Sequence, residues 1–373
     1  MAPGPHNAIT DVTGVRVGHA TIVEGQGPLK RGHGPVRTGV TVVLPRAELV
    51  RDNPLFAGCH RLNGNGDMTG LEWVREAGVL TTPIAITNTH SVGVVRDALI
   101  AAELEARTDD GLYWCMPVVG ETFDGVLNDI NGMHVTAAHV RAALAAARTG
   151  PVQEGSVGGG TGMICHEVKG GIGTASRVLA AQDGGWTVGA LVQANHGRRA
   201  LLRVDGAPVG RVLGTDRVPS PFDMLAAKRS RRSAAGAGSI IVVLATDAPL
   251  LPHQCERLAQ RAGLGIARAG GGLEDSSGDL FIAFATGNDG IPRADYSGAA
   301  GRPFDVRMLP NPAMTPLFEA AAEATEEAIV NALLAAGTVT GADGITAHGL
   351  TPALLTEALL ELGFDDHRDR GET

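Results

Sequence analysis

The chain has 373 residues, enough for one large domain or two, and its 44% hydrophobic and 19% charged residues are those of an ordinary globular protein. A formal net charge of −9 argues against nucleic acid as the main partner, because phosphate neutralisation needs clustered Lys and Arg. There is no run of ~20 apolar residues and no basic-plus-apolar leader, so a soluble cytoplasmic protein with no membrane contact is expected.

Glycine is abundant at 52 residues and aromatics are sparse at 3%, so the core must be built mainly from Ala, Val, Leu and Ile. The four cysteines, Cys59, Cys115, Cys165 and Cys255, show no C-x-x-C spacing. Neither a zinc site nor a disulfide framework is signalled, and buried reduced thiols are expected.

In chain order, residues 9–12 and 15–17 alternate and read as short strands, and 38–44 reads as a core strand. Gly64-Asn65-Gly66-Asp67 is a glycine-rich turn. Residues 71–78 form a helix closed by Gly78. A strand at 83–88, a helix at 91–106 and a strand at 116–121 follow, then an alanine-rich helix at 136–148 stopped by Gly150-Pro151. The centre is glycine-dense at 155–162, with a strand at 163–165 and further strands around 186–193. Residues 227–237 are polar and basic and read as a flexible linker. The apolar run 240–245 is a buried strand. A helix begins at Pro252, a strand spans 280–286, a long helix covers 317–336, and a short helix covers 353–363. The charged tail from Asp365 is expected to fray. Strands come in blocks with few β-α-β alternations, which favours an α+β layered sandwich with two β-layers covered by helices.

The linker meets the buried strand at Gly238-Ser239. A self-cleaving hydrolase would place its nucleophile at such a junction. If that bond breaks, Ser239 becomes an N-terminus whose own α-amine, with a pKa of about 7.7–8.0, can take the hydroxyl proton. Gly238 suits a strained backbone. A surface loop entering a core strand would show the same pattern.

Other constellations carry less. The run 155–162 lacks P-loop spacing, because Lys169 falls too late, and it lacks the strand-helix context of a dinucleotide fingerprint. The twelve histidines form no H-E-x-x-H or other metal spacing, so no metal is expected. No G-x-S-x-G elbow is present. Asn195 ends a strand at a turn, where its amide can donate to an oxyanion or simply serve the turn. Ser276-Ser277-Gly278-Asp279 precedes a core strand and offers a hydroxyl and a carboxylate.

Together these segments change the reading. Ile9-Thr10-Asp11-Val12-Thr13-Gly14-Val15-Arg16-Val17-Gly18-His19-Ala20 resembles the opening of the P1 family (peptidase family S58) of self-processing serine aminopeptidases. That family includes L-aminopeptidase/D-esterases and β-peptidyl aminopeptidases. The resemblance continues through Gly64 to Gly70, Ile86 to Gly93, Leu127 to Gly132, Gly158 to Met163, Lys169 to Gly173, Gly238 to Val243 and Ala245 to Leu250, and covers roughly residues 8–340.

The resemblance implies one αββα sandwich like that of N-terminal-nucleophile (Ntn) hydrolases, with its own connectivity. It implies autocleavage into chains 1–238 and 239–373, homo-oligomers such as tetramers of the cleaved pair, and no cofactor. Ser239 matches the family nucleophile and Asn195 the oxyanion-hole asparagine. Ser277 and Asp279 match the serine and acid that orient the nucleophile's amine. The substrates implied are small peptides or amino-acid amides and esters. One departure stands out: Phe123 occupies the place of a tyrosine whose hydroxyl helps hold the oxyanion, and a phenylalanine ring has no donor. A hydrolase of non-peptide amide oligomers, or an acyl transferase of related fold, would be expected to carry threonine at the nucleophile. A non-catalytic binding relative is the remaining alternative, with Phe123 as its sign.

Overall fold

The glycine surplus and the scarcity of aromatics let layers approach closely, and the architecture follows from that. The computed structural model describes residues 1–108, 111–229, 238–293 and 303–364. Residues 230–237 of the expected linker and the tail from Asp365 lie outside the described residues.

In chain order the elements are β1 (Arg16–Glu24), β2 (Val36–Leu44), β3 (Leu55–Gly64), α1 (Leu71–Ala77), β4 (Val79–Leu80), β5 (Ile84–Asn88), α2 (Val92–Ala106) and β6 (Val118–Thr122). Next come α3 (Ala137–Ala146), β7 (Ile164–Cys165), β8 (Val168–Lys169), β9 (Gly171–Val178), β10 (Thr187–Asn195), α4 (Pro221–Arg229), β11 (Ser239–Thr246) and α5 (Pro252–Arg268). The chain closes with β12 (Gly278–Ala285), α6 (Thr315–Ala335), β13 (Val339–Thr340), β14 (Thr346–Ala347) and α7 (Pro352–Glu361).

Two large sheets form. One has four strands in the order β1-β2-β5-β6, and the other has six in the order β4-β3-β12-β11-β10-β9. Val17, Val43, Ile84, Ile86 and Val118 of the first meet Leu191, Ile241, Val243, Ile282 and Phe284 of the second in a shared inner core. On the outer face of the four-stranded sheet, Val95 and Leu99 of α2 and Val140 of α3 cover Val40, Val42, Ala85 and Val119. On the outer face of the six-stranded sheet, Leu258 and Ala262 of α5 and Ala328 and Ala332 of α6 cover Ile240, Val242 and Leu244. The layers are therefore αββα, as expected. All eight residues of β11 are buried, which its continuous apolar run dictates for a strand packed on both faces.

Two local expectations are corrected, and the scarcity of β-α-β units holds. Residues Ile9–Asp11 form a 3₁₀ turn rather than a strand, because Asp11 folds back to accept the backbone N–H groups of His6 and Ala8. Residues 227–229 of the expected linker are helical instead, since α4 runs to Arg229. Each large sheet also contains one β-α-β unit: β5 and β6 pair in parallel across α2, and β11 and β12 pair in parallel across α5. Among the described residues no helix is long and apolar enough to cross a membrane.

Close approach explains where glycine is needed. A Cβ on Gly58 of β3 would lie 2.2 Å from the Glu256 nitrogen in α5, and one on Gly173 of β9 would lie 1.9 Å from the Ala328 carbonyl oxygen in α6. Both helices therefore sit directly on the sheet backbone. Gly93 in α2 differs, with nothing within 4 Å of its Cβ position. We expect Gly173→Ala to cost about 1–3 kcal/mol or more through overpacking. Gly93→Ala should be neutral or add up to about 1 kcal/mol through lower unfolded-state entropy. Urea denaturation of the two variants checks the contrast, and equal effects would contradict the close-contact account.

Candidate active site

Ser239 is the first residue of β11. It stands opposite Asn195, the last residue of β10, in an antiparallel ladder, and opposite Gly278, the first residue of β12, in a parallel one. Side chains alternate along a strand, so Ser239 shares a face with Ile241 and Val243 and points between the two sheets. The N–H of Gly278 donates to Ser239 Oγ at 3.1 Å. The hydroxyl is buried in the intact chain.

Gly238 precedes it under a severe restriction. A Cβ there would lie 1.7 Å from the carbonyl oxygen of Asn195, so no side chain fits. Gly278 is confined in the same way, by the Asn65 carbonyl oxygen at 2.7 Å. The Gly64-Asn65-Gly66-Asp67 turn crosses this point and holds the loop before β12. Asn65 Nδ2 donates to Ser276 O at 2.6 Å, and Asn63 Nδ2 to Ser277 O at 2.5 Å.

Asn195 is buried and its amide is fixed at both ends. Oδ1 accepts from the Ile164 N–H at 2.7 Å, and Nδ2 donates to the Phe123 carbonyl at 3.0 Å. A primary amide carries two N–H groups, and Phe123 takes one. Opposite residues in an antiparallel pair hold their Cβ atoms about 4.5–5.5 Å apart, so the Asn195 and Ser239 side chains leave the sheet side by side on the same face. The Phe123 ring is half-exposed and packs over Gly125, so its carbonyl rather than its ring touches Asn195. Ile164 belongs to the β7–β8 hairpin, whose two turn residues, His166 and Glu167, both have positive φ, at 48° and 62°. This is the backbone form that a two-residue hairpin turn requires.

Ser277 Oγ donates to Asp279 Oδ1 at 2.5 Å, and both residues are buried. Asp279 stands opposite Ile240, so this pair lies on the helix-covered side of the sheet, across the strand from the Ser239 hydroxyl. Ile240 follows Ser239 directly in β11, so the carboxylate lies one residue from the Ser239 nitrogen along the strand pair. Burial pushes the Asp279 pKa up to about 6. Its Oδ2 is buried without a hydrogen-bond partner.

A second acid comes from the facing sheet. Glu121 in β6 is buried, accepts from the Asp67 N–H at 2.9 Å on Oε1, and accepts from Thr89 Oγ1 on Oε2. Burial raises its pKa. Gly66 lies between it and Gly278, the strand neighbour of Ser239: a Cβ on Gly66 would be 3.1 Å from Glu121 Oε1 and 3.1 Å from Gly278 Cα. Sequence reasoning did not single out Glu121, because only the packing of β6 over β11 brings it here. Gly120 beside it sits against the Ile241 side chain. Asp124, next after Phe123, is fully buried, accepts from Asn128 Nδ2 at 3.0 Å, and is pushed by burial to about 7.

One set of metal-ligand types lies close together among the described residues. Cys165, His166 and His196 are all buried, with ligand atoms within 4.8 Å of one another. Sequence spacing hides this group, because β7 and the end of β10 meet only in the fold. Cys165 Sγ is 3.7 Å from His196 Nδ1, and His166 Nδ1 donates to the Arg198 carbonyl at 3.1 Å. Burial pushes the thiol up to about 12 and both imidazoles down, so all three groups are neutral. The group packs on the helix-covered side with Ala194 and Ile240, away from the Ser239 hydroxyl. All four cysteines are buried and free, as their spacing led us to expect.

The sequence profile described as peptidase family S58 matches residues 7–347. The chain is 50% identical over 358 residues to the β-peptidyl aminopeptidase BapA of Sphingosinicella microcystinivorans, covering 96% of this chain and 88% of that protein. Its fold matches the β-aminopeptidase of a Burkholderia species with a TM-score of 0.89 at 63% identity, covering 98% of this chain and 96% of that one. It also matches the L-aminopeptidase D-Ala-esterase/amidase of Ochrobactrum anthropi, described as a prototype for the serine aminopeptidases and a variant of the Ntn hydrolase fold. That TM-score is 0.86 at 44% identity, covering 97% of this chain and 96% of that one. The chain belongs to peptidase family S58 and is a serine aminopeptidase built on the Ntn-hydrolase-like αββα sandwich.

Proposed function

We propose that the chain is a precursor that cuts itself between Gly238 and Ser239, and that the mature Ser239 removes small N-terminal residues, β-amino acids among them, from peptides, amides or esters. The observation that carries this reading is the cross-strand row of Asn195, Ser239 and Gly278, which sets a hydroxyl beside a fixed amide at the start of a buried strand.

In processing, Ser239 Oγ attacks the Gly238 carbonyl carbon and the C–N bond to Ser239 breaks. The ester so formed is hydrolysed by water, leaving a Gly238 carboxylate, a free hydroxyl and a free α-amine on Ser239. In turnover that amine takes the hydroxyl proton as Oγ attacks the substrate carbonyl. The second Nδ2–H of Asn195 receives the oxyanion. The ammonium then protonates the leaving nitrogen as the C–N bond breaks. Water hydrolyses the acyl ester with the same amine as base.

Ser277 and Asp279 are suited to hold that amine, since Asp279 stands opposite Ile240, the residue next to Ser239. Cleavage would supply a cation beside a carboxylate that is short of one partner in the intact chain. Glu121 is suited to hold the substrate's own ammonium, because the Asp67 N–H and the Thr89 hydroxyl fix its two oxygens on the inter-sheet side. The half-exposed Phe123 ring would line the entrance to this pocket. Acceptance of β-residues rests on the names of the relatives, described as β-peptidyl aminopeptidase and β-aminopeptidase. Four unpaired thiols suit a reducing, cytoplasmic setting, and assembly into homo-oligomers of the cleaved pair completes the reading.

Denaturing electrophoresis with intact mass should show fragments of 238 and 135 residues, the smaller beginning Ser-Ile-Ile-Val. Ser239→Ala should remain one chain and be inactive. A fully active preparation of uncut chain would overturn the reading.

Asp279 generates a pH prediction for the uncut chain. Its folded pKa is raised above the unfolded value, so the folded state keeps a proton that the unfolded state releases. The stability linked to this group is present at low pH and is lost as pH rises from about 4 to about 6. In the uncut Ser239→Ala background, adding Asp279→Asn should therefore raise stability relative to its parent as pH rises through that window. Paired urea titrations measure the difference, and parallel pH profiles would contradict it.

A further inference from the structure

Lys169 is fully buried, and its amine nitrogen donates to three backbone carbonyls. Nζ donates to Gly160 O at 3.1 Å, Met163 O at 2.9 Å and Gly170 O at 2.6 Å. Burying an ammonium among neutral groups is costly, and an apolar side chain of similar length would fill the same space without that penalty. The charge therefore calls for an explanation other than stability.

The explanation lies in the Met163–Ile164 peptide unit. Its carbonyl oxygen accepts from Lys169 Nζ at 2.9 Å, and its N–H donates to Asn195 Oδ1 at 2.7 Å. Three polarisable groups thus stand in series: an ammonium, a backbone amide and a side-chain amide. A cation on an amide oxygen draws electron density from the nitrogen and strengthens its N–H as a donor, and hydrogen-bonded chains pass this effect along. At the end of the series is Nδ2 of Asn195, beside Ser239. The same ammonium ties Gly160 to Gly170, so the 3₁₀ turn Gly158–Gly162 and the β7–β8 hairpin are held as one piece.

We propose that Lys169 positions and polarises the oxyanion-binding amide of Asn195 through the Met163–Ile164 peptide. This rests on Asn195 being the oxyanion donor, as argued above. Lys169 does not touch substrate in this account, so it is a positioning residue.

Burial lowers the Lys169 pKa from 10.5 to about 7, so its charge changes near neutral pH. The titratable group it feels is the Cys165 thiol, which is itself pushed up to about 12 and stays neutral. The neighbouring His166 and His196 are held neutral by burial.

The test is a double-mutant cycle on processed, active-site-titrated enzyme. Asn195→Ala should lower kcat about 10²–10³-fold. Lys169→Met should lower kcat about five- to tenfold with KM unchanged, because only the charge developed in the transition state feels the polarisation. Adding Lys169→Met to Asn195→Ala should cost almost nothing more. A fully active Asn195→Ala would overturn the oxyanion reading itself. An impaired Asn195→Ala beside a Lys169→Met of wild-type kcat, or a fully additive pair, would overturn only the role of Lys169.

If Lys169→Met fails to fold or to process, the uncut Ser239→Ala chain decides the matter by NMR. With ¹⁵N-labelled Ile and Asn and ¹³C-labelled Lys, the Ile164 N–H and the Asn195 side-chain amide should shift together with the midpoint of Lys169 Cε. Amide signals that stay flat while Lys169 titrates would overturn the proposal.

Discussion

The register of β11 between β10 and β12 decides whether this protein has a site at all. Ser239 faces Asn195 on one side and Gly278 on the other, and its hydroxyl points between the sheets. A slip of one residue would turn that hydroxyl toward α5 and α6 and put Ile240 in its place. The register is held by the two-sided burial of the strand, with Ile240, Val242 and Leu244 filling one core and Ile241 and Val243 the other. The apolar core thus sets the geometry of the proposed site directly. Gly238 adds a second constraint, because the Asn195 carbonyl leaves room for no side chain there. The bond proposed for cleavage is pressed against the residue proposed to stabilise its chemistry.

The electrostatics of the site share one cause. Asp279, Glu121 and Asp124 are buried carboxyls raised by desolvation, and Lys169 is a buried ammonium lowered by it. Hydrogen bonds from Ser277, Thr89 and Asn128, rather than counter-ions, hold these acids. Such groups change their charge readily when a partner arrives. The α-amine and the substrate ammonium of the proposed reaction would both be partners of that kind, and clusters of perturbed titratable groups commonly mark functional sites.

Much of the fold could be read from the sequence because its signals are local. The apolar runs at β2, β11 and β12, the glycine stop after α1 and the proline start of α5 announce themselves. β3 escaped notice because Gly58, needed for contact with α5, and the polar residues His60, Arg61 and Asn63 break its pattern. The Gly238-Ser239 junction was legible as a linker meeting a strand. The partnership of Ser239 with Asn195 was not, since it depends on pairing between β10 and β11. Asn195, Ser277 and Asp279 could be singled out as a turn amide and a hydroxyl-carboxylate pair, but only the strand register brings them to Ser239. Glu121 and Lys169 were passed over because each reaches the site through a layer contact or a backbone relay, and neither leaves a trace in local spacing. The role expected for a tyrosine at position 123 also looks different in three dimensions, where the Phe123 backbone carbonyl, not its ring, meets the Asn195 amide.

Every step of this account passes through the Ser239 hydroxyl, and covalent trapping tests it most directly. The processed enzyme would be mixed with a slowly hydrolysed β-alanine ester, acid-quenched during turnover and digested for mass spectrometry. The account predicts a β-alanyl ester on the peptide that begins at Ser239, formed and lost at rates matching turnover. An acyl group on any other residue, or steady turnover with no acyl-enzyme on a substrate whose deacylation is slow, would contradict it.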